Sequence, residues 1–524
     1  MAGSGTESGQ PPGRPAPSLA VIGAGVAGCA LAAGLRRGGW AGSIVLWEAG
    51  RGPGGRAATR RSRHDPGWHI DHGAPLFNLS EGPEPELVEP LLAGGWIEPW
   101  REPAALLDAE GALGPADGDP LLSGRLYRGR RGMDDLGRGL LALAEAPAVV
   151  PAVVPAAPGS LSCRYGTLIH HLEVRPGGGW RLADATGAVQ GEADWLVLSG
   201  TLLAHPRARE RFGWPQVPLQ SAAQGLGDAE LEAALAAIAS MEMEARTNLM
   251  LTIEPTAAAR WLVMPFRLLG LNGPAQRRWG LRRLSIQPLA DGRCAVVAHG
   301  VLAEPDDAAA ITALERAVTG ALAPWLGDGA GAAETLVGVE RRQLMRWGAA
   351  FPKGPGLPSA ATVCRRSRVA FCGDFIAGPG FGRIEGALRS AQALAGRLLA
   401  LVLLLGLALG NPATATAAAA TTTIPYRCDG DLLLATADNG AVDAPGIPNT
   451  VAGTVPGATV LLEWRGLSLQ LPRTNNAGPP SYTDGIWWWS LEDPAQPRFL
   501  HRRGAIESFS CQAVPAAGPP ADGR

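Results

Sequence analysis

The chain has 524 residues, enough for about three to five domains, which excludes a peptide or a small stapled scaffold. Hydrophobic residues make up 46% and charged residues 18%, a globular balance without the charge excess that keeps a chain disordered, while 71 Gly and 45 Pro signal many turns. Net charge is −2, with 46 basic against 48 acidic residues, so no global field draws the protein to phosphate backbones, and a nucleic-acid partner is excluded.

In chain order, residues 1–17 are small, polar and Pro-rich and read as a disordered leader. From Ser18 the pattern becomes strand, Gly-rich turn, helix and strand: LAVIGAG, VAGCALAAGLRRGG, SIVLWEA. Further strands are predicted at 165–172, 179–184 and 194–199, and an Ala-rich helix at about 229–244. The run LLALVLLLGLAL at 398–409 is apolar, follows Arg389 and Arg397, and precedes no charge until Arg427, a signal-like profile in mid-chain. Two readings stay open for it: a membrane anchor recruiting flanking Ala and Thr, or the buried end of the preceding domain's last helix. Residues 425–513 read as all-β, with short apolar runs between Asn-Gly, Pro-Gly and Asp-Gly turns.

Gly23, Gly25 and Gly28 form G-x-G-x-x-G after the first strand, and Glu48 ends the next strand twenty residues beyond Gly28. Such a turn brings backbone against a pyrophosphate at a helix N-terminus, and the carboxylate accepts from ribose hydroxyls, so a dinucleotide is the expected ligand. The motif leaves NAD and FAD open. Arg51, Gly54, Gly55 and Arg56 follow at once, and VIGAGVAGCALAAGL with VLWEAGRGPGGRAATRR resembles the start of the amine-oxidase-like flavoproteins, in particular their renalase branch. HIDHGAPLF at 69–77, LMRWGAAFP at 344–352 and VAFCGDFIAGPGFGRIEGALRSAQALAGRLL at 369–399 extend the resemblance over about 18–400. Pro75 and Leu76 depart from it, standing where that branch carries a polar residue and an aromatic.

The resemblance implies FAD as cofactor, with Gly73, Ala74, Ile169, Gly373, Asp374, Arg383, Ile384 and Glu385 added to the residues that hold it. It also implies a small-molecule reductant, a dihydronicotinamide isomer or an amine, with oxygen as acceptor. Arg346 is either an anchor for an anionic substrate or a surface residue; Trp347 either stacks on a planar ring or packs in the core; His72 either tunes the flavin or packs. Lys353, the only lysine, has no assigned place at the flavin. His69 and Asp71 share one strand face and His72 the other, so no metal site is expected.

The C-terminal stretch, through Tyr426, Cys428, Leu471, Pro472, Tyr482, Trp488 and Cys511, is similar to periplasmic inhibitors of C-type lysozyme, small β-barrels with a disulfide. This implies a Cys428–Cys511 bridge and lysozyme as partner. Asn475 to Pro480 and the acidic pair Glu492 and Asp493 depart from the inhibitory loop and its basic residue. The fold class expected is thus an α/β Rossmann-like FAD-binding domain (18–80, 125–205 and 360–397) with an inserted α+β substrate domain (206–359). A hydrophobic segment and linker (398–424), an all-β barrel (425–513) and a flexible tail (514–524) follow. If the segment inserts, the flavoprotein is cytoplasmic and the barrel periplasmic or outer; otherwise the chain is cytoplasmic. An exported binding protein, or two neighbouring genes joined into one, are the competing readings.

Overall fold

The computed structural model describes residues 16–80, 82–146, 159–301, 306–326, 336–409, 422–438, 459–474, 479–503 and 505–514. The leader to residue 15, most of the linker, the 475–478 loop and the tail lie outside them. The chain forms two compact units, Met1–Ala408 and Leu409–Arg524.

The first unit is built on a six-stranded sheet in the order Leu161–Tyr165, Ile44–Glu48, Leu19–Ile22, Trp195–Leu198, Val369–Phe371 and Val363–Cys364. All neighbours pair in parallel except the last. Leu19, Ala20 and Val21 are fully buried because a parallel strand is covered on both faces, which is why it reads as unbroken apolar sequence. Helices Val26–Arg37, Asp134–Glu145 and Ile384–Leu409 pack on one face. The other face carries a three-stranded antiparallel sheet and helices Pro218–Ala223 and Ala229–Ala239.

A second sheet of seven strands runs in the order Val339–Lys353, Glu242–Ile253, Cys294–Gly300, Leu281–Pro288, Leu268–Leu271, Ala104–Leu107 and Leu113–Pro115. Helices Pro255–Leu262, Gly273–Trp279 and Asp307–Ala321 cover one of its faces. Side chains alternate along a strand. Leu249, Leu251 and Ile253 therefore meet the helices, while Met250 joins Trp68 and Val297 on the opposite face.

Three expectations are corrected. The stretch 165–172 is not one strand: Leu161–Tyr165 ends in the main sheet, and His171–Val174 starts another sheet after a turn at Gly166. The helix expected to 244 stops at Ala239, because from Glu242 the chain pairs with Val339–Lys353. The seven-stranded sheet also recruits 104–115, whereas Ala208, Trp214, Leu219 and Ile238, inside the expected insertion, pack on the six-stranded sheet.

The run 398–409 ends the 26-residue helix Ile384–Leu409. Leu398 is buried, and Leu399, Leu401 and Val402 pack on the same core as the first Rossmann helix, so over 398–402 the run follows the buried-helix reading. Among the described residues no helix is long and apolar enough to cross a membrane.

The second unit is an eight-stranded antiparallel sheet in the order Leu467–Pro472, Thr459–Trp464, Asp431–Asp438, Thr422–Cys428, Ala505–Ala513, Arg498–Arg503, Trp487–Ser490 and Ser481–Thr483. A bridge between Arg473 and Tyr482 joins its two ends, so the strands form a nearly closed barrel, a device that leaves no long free edge. Tyr426, Leu462, Leu471, Tyr482, Trp489 and Phe499 fill it. Cys428 and Cys511 face each other across neighbouring strands and are disulfide-bonded.

Candidate active site

The first strand ends in a turn that only glycine can make at two points. Gly23 has φ +100°, and a Cβ on Gly28 would stand 2.1 Å from the Gly23 carbonyl oxygen. Removing both side chains brings helix Val26–Arg37 down onto the strand, with Gly25, Val26 and Ala27 on a cavity wall. The first-turn N–H groups of that helix have no intrahelical acceptors. Glu48 braces the turn, its Oε2 accepting from Ala24 N at 2.9 Å and its Oε1 from Gly50 N at 2.6 Å.

The turn and the helix start open onto a cavity. On the side of the turn its wall continues through Gly54, Gly55, Arg56, Gly73, Ala74, Ser199, Gly373, Asp374, Arg383 and Ile384. Arg56 reaches across 318 residues of sequence to fork onto Asp374 at 2.7 and 2.6 Å, and also donates to the Ala350 carbonyl at 2.8 Å. This two-pronged contact ties the Gly-Gly-Arg loop to the strand end at Gly373. Ala74 N donates to the Arg56 carbonyl at 2.9 Å, and a Cβ on Gly73 would lie 2.0 Å from that oxygen, so the segment after His72 closes tightly on the loop.

Several predicted residues stand elsewhere. Arg51 is exposed and off the cavity wall. Ile169 is buried in the core under the main sheet's other face. Glu385, fully buried, accepts from Ser80 N and Arg389 and pairs with Arg383 at 3.5 Å, so its carboxylate anchors a helix start rather than lining the cavity. Arg346 pairs with Asp307 on the helix-covered face of the second sheet. Its neighbour Trp347 lines the cavity; adjacent strand residues point to opposite faces, so only one of the two can be there.

The opposite wall is the uncovered face of the seven-stranded sheet, with Arg246, Asn248, Arg282, Arg283, His299, Trp347 and Phe351. His72 lies behind Trp347, stacked on it with ring centroids 5.5 Å apart, and its carbonyl accepts from Asn248 Nδ2 at 2.9 Å. Burial, helped by Arg60, lowers the His72 pKa to about 4; burial with Arg283 and Arg282 lowers that of His299 to about 3. Both imidazoles are therefore neutral at neutral pH and add no charge to the wall. Asp71 is pushed up to about 6 by burial, opposed by bonds from Thr59 Oγ1 and Met133 N. Lys353 sits at an adjoining pocket, paired with Glu244 at 3.2 Å.

Sequence reasoning missed Arg246, Asn248, Arg282, Arg283 and His299. A signal was present on one strand: polar residues at every second position in an otherwise apolar run, as in Arg283-Leu-Ser285-Ile-Gln287. Among the described residues no group of three or more His, Cys, Asp or Glu could hold a metal ion.

Two family models match parts of the chain: an NAD(P)-binding Rossmann-like domain over residues 21–89, and a domain of unknown function (DUF8671) over 436–511. No curated protein matches. Among solved structures, cyclohexylamine oxidase from Brevibacterium oxydans is similar at 15% identity and a TM-score of 0.47, covering 74% of this chain and 100% of that one. A putrescine oxidase bound to putrescine is similar at 13% and 0.47, covering 73% and 99%. An oxidoreductase from Methanosarcina mazei is similar at 13% and 0.47, covering 72% and 100%.

Proposed function

We propose that the first unit is an FAD-dependent oxidoreductase, renalase-like in taking hydride from a dihydronicotinamide ring and passing electrons to oxygen. The observation that carries this reading is the single cavity with two unlike walls: a glycine turn and helix start on one side, an aromatic and polar sheet face on the other. The residues fit the cofactor. Gly25 lines the cavity with open space where a Cβ would stand, leaving room for the pyrophosphate beside the Val26 and Ala27 N–H groups. Asp374 and Arg56 would take the ribityl chain, and the N–H groups opening helix Ile384–Leu409 the pyrimidine edge, where they favour negative charge, while Glu48, off the cavity wall and bonded to Ala24 N and Gly50 N, braces the turn.

The flavin, when bound, supplies the hydride acceptor and the route to oxygen. The chain's own residues orient and enclose: Trp347 offers a ring for stacking, Asn248 holds the segment carrying His72 in place, and Leu76 and Phe77 exclude water. No protein nucleophile is required. The test is the absorption spectrum of the purified chain, followed by anaerobic addition of mixed dihydronicotinamide isomers. A flavin spectrum that bleaches, with hydrogen peroxide appearing once air is admitted, is expected; a colourless folded protein overturns the cofactor, and a yellow one that stays oxidised overturns the donor.

For the second unit we propose a binding module of the lysozyme-inhibitor type, supported by its disulfide-bonded eight-stranded barrel. The full chain should then inhibit a C-type lysozyme, an exported location following from the need for an oxidising compartment. Undiminished lysozyme activity at high excess of the chain withdraws that partner.

A further inference from the structure

The charge of the sheet-side wall narrows the substrate, given the oxidoreductase reading above. Arg246, Arg282 and Arg283 line the cavity, and Lys353 stands at its adjoining pocket. Against these four cations stand two carboxylates. Glu244 is shared by Arg246, Arg282 at 3.6 Å and Lys353 at 3.2 Å, and Asp119 takes Arg283 at 3.2 Å. The wall is cationic even after internal pairing, and His299 and His72 are neutral beside it.

The backbone is irregular where these arginines arise. Register shifts occur between Leu281 and Arg283, and between Glu244 and Arg246, and a bulge re-aims side chains that regular alternation would send to the other face. That is how the consecutive residues Arg282 and Arg283 both reach the cavity. Polar atoms on this wall are buried without partners: Arg246 Nε, Arg283 Nε, His299 Nε2 and Trp347 Nε1. Arg283 is 9% exposed, and a buried guanidinium with an unfilled donor costs stability unless a ligand completes it.

We infer that the substrate is an oxyanion, a planar ring bearing a carboxylate or phosphate, seated on Arg246, Arg282, Arg283 and His299 with its ring beside Trp347. A protonated amine is rejected by the same cations. The carboxylate form fits a carboxylated ring, and the phosphate form a ring that carries its phosphate directly or, as in a dihydronicotinamide nucleotide, through a ribose.

Calorimetric titration of the full chain with benzoate, phenyl phosphate and benzylamine tests this with three probes alike in ring and different in charge. One of the oxyanions should bind at least about tenfold more tightly than benzylamine, and the preferred one identifies the group recognised. Arg283→Met should weaken it about tenfold or more, and Arg282→Met, which leaves the buried Asp119 pair alone, should weaken it in the same direction. Benzylamine binding as tightly or more tightly, neither oxyanion binding, or unchanged affinity in Arg282→Met overturns the inference. Flavin content is read separately from absorbance. A colourless protein that still selects the oxyanion removes the cofactor reading alone, and a yellow one that selects benzylamine removes this inference alone.

Discussion

Gly28→Ala should leave the purified protein with flavin bound about 10 to 100 times more weakly, and Gly28→Val should leave it colourless. The added Cβ would stand 2.1 Å from the Gly23 carbonyl oxygen and 3.1 Å from Ser199 Oγ. Its closest obstacle is backbone, which cannot rotate aside as a side-chain end can. Relief requires the helix start to lift or the Gly23 turn to open, and overpacking of this kind costs about 1–3 kcal/mol. Either movement displaces the N–H groups of Val26 and Ala27 from the cavity wall, so the strain is felt mainly in cofactor affinity. The control is Gly396→Ala, in helix Ile384–Leu409, where an added Cβ meets nothing within 4 Å and helix propensity favours Ala. The measurement is the flavin-to-protein ratio after purification, then titration of the stripped protein with FAD. Stoichiometric, tight flavin in Gly28→Ala would sink the assignment of this turn as the pyrophosphate site.

The half of the cavity around the glycine turn was legible because its determinants are local. Gly23, Gly25, Gly28 and Glu48 lie within 26 residues, and their spacing is imposed by one turn, one helix start and one strand end. The sheet half was not, because Arg246 joins Arg283 and His299 only after Glu242–Ile253 has paired beside Cys294–Gly300, and Trp347 arrives from a strand about a hundred residues further on. Bulges at Leu281 and Arg246 then shift the parity by which a sequence would be read. Alternation alone could have separated Trp347 from Arg346, since neighbours on a regularly paired stretch of strand point to opposite faces. Helix propensity misplaced the end of Ala229–Ala239: Met241 and Met243 suit a helix, yet pairing of Glu242–Ile253 with Val339–Lys353 overrides that local preference. The 398–409 run shows the same limit from the other side. Its leucines suit a bilayer as well as a protein core, and only the packing of Leu398, Leu401 and Val402 on the first helix's cluster separates the two over those residues.

Glu385→Ala should destabilise the first unit by about 3–5 kcal/mol, the cost of breaking a buried ion pair and leaving its partners charged. The carboxylate is fully buried, and its partners Arg383 and Arg389 have side chains only 14% and 19% exposed, so salt screens them little. It also accepts from Ser80 N and Oγ at 3.2 Å each, while Arg383 donates to Ser80 Oγ at 2.6 Å and to the Pro120 carbonyl at 3.3 Å. One acid thus binds the first turn of helix Ile384–Leu409 to the segment after Phe77–Leu79, and Arg383 extends the link to Pro120 on the adjoining pocket. Removing it takes the shared carboxylate from two guanidiniums and an acceptor from the Ser80 N–H, whereas Glu385→Gln keeps an acceptor for Ser80 and should cost less. Ellipticity at 222 nm during urea unfolding isolates the effect, since the described residues of the second unit are all strand and turn. A midpoint for Glu385→Ala equal to that of the parent chain would show that the cluster holds nothing together. A lowered midpoint is the expected result, with flavin affinity falling less than in Gly28→Ala, because Glu385 supports the cavity wall through Arg383 and Ser80 without lining the cavity itself.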